Sequence, residues 1–65
     1  MIVKIGETAG QIWHFLNQVG ESSLTQIKKE IDADDFLITA AIGWLARENK
    51  VKIDRSGRKI NISLF

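Results

Sequence analysis

Few side chains in this sequence are equipped for chemistry. His14 is the single imidazole, and cysteine is absent. Disulfides, thiolate metal sites and cysteine nucleophiles are therefore excluded, and His14 stands alone as a base. A catalytic histidine needs convergent partners, and its neighbour Trp13 supplies none. Asp32, Asp34 and Asp35 form the densest carboxylate group. Their spacing lacks the glycine and terminal glutamate of a calcium loop, so helix capping is the better account of them. Gly6 and Gly10 make neither a phosphate loop nor a dinucleotide fingerprint. These residues point to a non-enzymatic chain with no metal and no cofactor.

What remains is cationic. Residues 47–65 carry six bases (Arg47, Lys50, Lys52, Arg55, Arg58 and Lys59) against Glu48 and Asp54, a net +4, whereas residues 1–46 carry three bases against six acids, a net −3. An anionic partner would be met by the carboxyl-terminal third.

These groups are positioned by one domain over residues 1–65, since 65 residues with 45% hydrophobic content build a single small core. Such a chain buries only about 60% of its unfolded surface and holds no covalent staple, so contacts from a second subunit would stabilise it. Met1–Glu7 lacks the apolar stretch of a secretory signal. The longest apolar-rich window, Phe36–Ala46, is eleven residues, too short to span a bilayer. No membrane association and a cytoplasmic location are expected.

Apolar spacing predicts three helices, over about 7–19, 24–31 and 35–48. The first is marked by Ala9, Ile12, Trp13, Phe15, Leu16 and Val19 and stops at Gly20. Trp13 and Phe15 lie about 200° apart around it, so its apolar surface is wider than one core stripe, and Met1–Ile5 is available to cover the rest. Residues 21–24 could add a short strand. Ser23 and Gln26 have the spacing of a capping box before Leu24, Ile27 and Ile31. Asp34 caps a third helix with Ile38, Ala41, Ile42 and Leu45 on its core face. From Val51 the period changes to 2, predicting strands over about 50–55 and 58–64 joined at Ser56-Gly57. That turn pairs Arg55 with Arg58, Ile53 with Ile60 and Val51 with Ile62.

Three helices followed by a two-stranded hairpin make a mainly α, α+β chain with the order of a winged helix-turn-helix domain. The segments Ile5-Gly6-Glu7-Thr8-Ala9-Gly10-Gln11-Ile12-Trp13 and Ala41-Ile42-Gly43-Trp44-Leu45-Ala46-Arg47-Glu48-Asn49-Lys50-Val51 resemble the two signatures of a small stand-alone winged-helix family of bacteria and archaea. That family's function is unassigned, so the resemblance implies the fold and carries over no site residue. In winged-helix proteins generally, the third helix enters the major groove and the wing contacts flanking phosphates.

The third helix is poorly suited to base readout. Nine of the eleven residues from Phe36 to Ala46 are hydrophobic, leaving Thr39 and Gly43. A carboxylate about 4 Å from a phosphate is repelled by roughly 4 kcal/mol at an effective dielectric near 20, which sets Asp34 and Asp35 against a close approach. With the core face assigned, Phe36, Ala40, Gly43 and Trp44 remain outside it. They suit a twofold homodimer interface; the alternative is that Trp44 folds back over its own core. Mid-helix Gly43 suggests a site where another backbone comes close.

Arg55, Arg58 and Lys59 at the hairpin tip, with Arg47, Lys50 and Lys52 before them, could contact duplex phosphates weakly and without sequence selectivity. They could equally be solvated charges that protect a sheet edge. Two functions follow: a DNA-associated or transcription-related protein acting through its basic wing, or a protein-interaction module acting through the third helix with no DNA binding.

Overall fold

The computed structural model describes residues 2–65. In chain order it has α1 (Ile2–Val19), β1 (Glu21–Ser23), α2 (Leu24–Glu30), α3 (Asp35–Arg47), β2 (Val51–Ser56) and β3 (Lys59–Leu64). The strands form one antiparallel sheet in the order β1-β3-β2. This is the architecture of three helices and a small antiparallel wing. No helix of the described residues is long and apolar enough to cross a membrane.

The core is a single apolar cluster: Ala9, Ile12 and Leu16 of α1, Ile27 of α2 with Ile31 after it, Ile38, Ala41, Ile42 and Leu45 of α3, Val51 of β2 and Ile62 of β3. The core face expected for α3 is the one that is buried.

α1 begins at Ile2, about five residues before the expected start. Ile2, Val3 and Ile5 are β-branched and Gly6 is a poor helix former, so local propensity hides the helix. Tertiary packing overrides it, because Ile5 packs against the core and extends the Ala9, Ile12, Leu16 stripe by one turn. Residues 2–5 therefore continue the helix and cannot fold back over it; Met1 lies outside the described residues. At the other end, Gly20 adopts φ +87° and its N–H donates to the Leu16 carbonyl at 2.7 Å, turning the chain into β1.

The helix-turn-helix pair is set by side-chain caps. Ser23 Oγ accepts from the Gln26 N–H at 3.1 Å, opening α2, and Asp34 Oδ1 accepts from the Leu37 N–H at 2.8 Å, opening α3. The capping box is only half formed, because the Gln26 side chain donates to Glu30 one turn on, at 3.0 Å, instead of returning to Ser23. α3 ends in a Schellman motif: Lys50 N–H donates to the Leu45 carbonyl and Asn49 N–H to the Ala46 carbonyl. Asn49, at φ 59°, occupies the left-handed position that reverses the chain into β2.

The hairpin register differs from expectation. Ser56 pairs with Lys59, Arg55 with Ile60, Ile53 with Ile62 and Val51 with Leu64, so the two-residue loop is Gly57-Arg58. Gly57 lies at φ +60° while Arg58 does not have a positive φ, the requirement of a type II′ turn with glycine first. Moving each partner by two residues preserves which face a side chain occupies, so the apolar face survives the change.

Ile38 is fully buried among these contacts. Ile38→Ala is expected to cost about 2–5 kcal/mol, most of the stability of a domain this small. Urea denaturation followed by circular dichroism measures it, and a midpoint within error of wild type would contradict the packing described.

Candidate nucleic-acid interface

The register sorts the six carboxyl-terminal cations. Cross-strand partners share a face, so Arg55 stands with Ile53, Ile60 and Ile62 on the apolar side of the sheet. Lys52 and Lys59 stand on the opposite side, with Asp54. Lys52 also falls in one row with Ser63 and Glu21, and its Nζ is 6.0 Å from the Phe65 ring centroid, at the outer reach of a cation–π contact. Acidic neighbours on that face thus dilute the charge of Lys52.

At the hairpin tip the positive charge is most concentrated, with Asp54 as the one acid near it, diagonal to Lys59. Arg55 precedes the turn by one residue, Arg58 is in the turn and Lys59 starts β3. All three are exposed, and the one ion pair among the described residues joins Lys28 to Asp35 at 3.7 Å, far along the chain from them. Arg47 and Lys50 are exposed at the other end of the chain reversal, where Arg47 complements the carboxyl end of the α3 dipole. Lys50 borders a crevice with Glu48, Trp13 and Trp44.

The acids expected to oppose a phosphate approach have local duties: Asp34 caps α3 and Asp35 pairs with Lys28. That pair is surface-exposed and worth little by itself. His14 is exposed on α1.

The outer face of α3 is apolar. Phe36 is 65% exposed and Trp44 47%, with Ala40 and Gly43 between them. Trp44 therefore does not fold back over the core. It edges a crevice of about 260 Å³ between α1 and α3, whose α1 side is Gly6, Ala9, Gly10 and Trp13. On the other flank of α3, Thr39 and Gly43 face Ile53 and Ile60 of the wing across a second groove of about 250 Å³. A recognition helix would normally carry hydrogen-bonding side chains in this position; Thr39 and Arg47 are the ones this face offers.

Within the chain, nothing approaches Gly43: a methyl group there would meet no atom within 4 Å, and the same holds at Gly6 and Gly10. The close backbone approach expected at Gly43 is therefore not made by this chain. Each mid-helix glycine costs about 1 kcal/mol relative to alanine. The α1 side of the crevice escaped sequence reasoning. Its signal was the spacing of Gly6, Gly10 and Trp13, which places all three on one stripe of a helix.

A family model described as winged helix-turn-helix domain (DUF2582) matches residues 2–64. An uncharacterized protein of Methanocaldococcus jannaschii is 45% identical over 64 residues, covering 94% of this chain and 90% of that protein. A protein of Bacteroides thetaiotaomicron with a solution NMR structure is 36% identical, with a TM-score of 0.82 over 94% of this chain and 74% of its own.

The tip geometry depends on one backbone conformation. Gly57→Ala forces a side chain into the left-handed region and is expected to cost about 1–2 kcal/mol. The loss should appear in a thermal melt and in faster amide exchange across β2 and β3; an unchanged melt would mean that the turn is not of this type.

Proposed function

We propose that this chain, which belongs to the DUF2582 family of winged helix-turn-helix domains, is a non-enzymatic module that binds the phosphate backbone of duplex DNA through its wing. The observation that carries the reading is the tip itself: Arg55, Arg58 and Lys59 are exposed within five residues, and no ion pair among the described residues occupies them. Arginine forks match phosphate oxygens in a bidentate fashion, and lysine adds a point charge. Arg47 and Lys50 are the candidates for a second contact.

α3 contributes little to sequence selection in this reading. Its outer face presents Phe36, Ala40, Gly43 and Trp44 where base-reading side chains would be needed. Binding is then electrostatic and sequence-tolerant. Two or three phosphate contacts without base readout give weak affinity at physiological salt.

The test is an amide NMR titration with a mixed-sequence duplex at low and physiological salt. Shifts should be confined to Arg47–Lys59 and fade with salt. The logarithm of the binding constant should fall with log salt at a slope of about −2 to −3. Arg55→Ala and Arg58→Ala should each reduce that slope by about one and weaken binding to all sequences alike. No shift at low salt would sink the reading and leave the apolar α3 face as the surface to pursue.

A further inference from the structure

We infer that the outer face of α3 is the seat of a second copy of this chain, the two α3 helices crossing antiparallel about a twofold axis between Ala41 and Ile42. Three independent features of the molecule converge on this.

The first is area. A folded monomeric protein of 7.3 kDa exposes about 4,200 Å², whereas this chain exposes 4666 Å². The difference is not a loose tail, since the radius of gyration is 10.5 Å against about 10.7 Å expected for a compact domain of this length. An excess of about 500 Å² per chain is what the smaller specific interfaces, near 1,000 Å² in total, remove from each partner. The excess is also apolar where it counts: Phe36 and Trp44 on α3 and Trp13 on α1 are all substantially exposed.

The second is the pairing that twofold symmetry imposes. In an isologous contact, residue i of one copy meets residue j of the other and the reverse. With the axis between Ala41 and Ile42, Ala40 meets Gly43 of the partner subunit, and Phe36 meets Arg47 of the partner subunit. The two smallest side chains of the face thus fall at the crossing point, where helix backbones come closest. Phe36 and Arg47 fall at the two ends, where a guanidinium can stack on a ring. The face is complementary to itself in size and charge.

The third is the glycine. The helix-propensity cost of Gly43 gains nothing inside the chain, where no atom lies within 4 Å of a methyl group placed there. A partner's helix packed against that position would use the space.

The test is sedimentation equilibrium of the full chain over a wide concentration range, read together with tryptophan emission. Trp13 and Trp44 are the two tryptophans; Trp44 lies on α3 and Trp13 lines the crevice beside it, so emission should shift to the red as dilution separates the copies. The expected mass is twice 7.3 kDa; a single-chain mass at hundreds of micromolar overturns the inference. Phe36→Lys leaves the core intact, because Phe36 is outside it, and sets a lysine against Arg47 of the partner subunit. Association should weaken at least a hundredfold while circular dichroism is unchanged.

Adding Arg47→Glu to that variant should restore at least tenfold of the loss, since the end pairs become Lys with Glu. Absence of rescue would overturn the antiparallel register. Gly43→Ala favours the helix yet should raise the dissociation constant at least tenfold; unchanged association would place the contact elsewhere and overturn the crossing point. No nucleic acid enters these measurements, so their result does not depend on the wing's role.

Discussion

Everything in this molecule hangs on the five largest side chains that are almost wholly withdrawn from water: Ile12 and Leu16 of α1, Ile27 of α2, Ile38 of α3 and Ile62 of β3. The three helices and β3 supply one or two each, and none supplies enough to fold alone. Fully burying an aliphatic side chain is worth about 1.5–3 kcal/mol, while ordering each residue's backbone costs about 1–2 kcal/mol. Elements of such small means are stable only when they meet. Ile62 sits at the centre of β3, the strand bonded to both β1 and β2, so the same contact that closes the helical core also fixes the root of the wing. The wing tip, six residues beyond the buried Val51, is held by hydrogen bonds and by its turn more than by packing.

That hierarchy explains what could be read from the sequence. The core faces of α1, α2 and α3 were legible because burial imposes a 3.6-residue period, and Asp34 was legible as a cap because an orphan amide needs an acceptor at that spacing. The start of α1 was not, since Ile2, Val3 and Ile5 have strand-like propensity and only the contact of Ile5 with the core reveals their helical state. The strand period of 2 fixes faces but is indifferent to a shift of two partners, so it could not choose between Ile53 opposite Ile60 and Ile53 opposite Ile62. The choice belongs to the backbone of Gly57, whose positive φ sets where the turn begins.

The candidate site inherits that choice. As a string, Arg47 to Lys59 is a run of six bases broken only by Glu48 and Asp54. In the folded chain the register sends Lys52 toward Glu21 and Asp54, puts Arg55 on the apolar side, and leaves Arg55, Arg58 and Lys59 as the concentrated group. Charge counting pointed to the carboxyl-terminal third of the molecule and could not rank the residues within it. The apolar stripe of Phe36, Ala40, Gly43 and Trp44 was legible because the four core positions of α3, Ile38, Ala41, Ile42 and Leu45, define the opposite face. The crevice partner on α1 was less so, because Gly6 and Gly10 carry no side chain to mark a surface.

On the proposed reading, a wing that grips phosphate and a third helix that avoids bases would be two sides of one arrangement. An α3 committed to a second copy is unavailable to the major groove, so its apolar surface and its lack of hydrogen-bonding side chains stop being a defect in a DNA reader and become requirements of an interface. The phosphate contacts of a single tip are too few for useful affinity at physiological salt. Two tips held by one twofold axis change the arithmetic, because the second contact becomes intramolecular and its effective concentration is set by a rigid span instead of by bulk solution. Such a pair would select its ligand by the spacing of phosphates along a duplex and its curvature, quantities that depend on DNA shape and not on base identity. On this argument the helix that would ordinarily supply sequence selectivity supplies, through dimerisation, geometric selectivity.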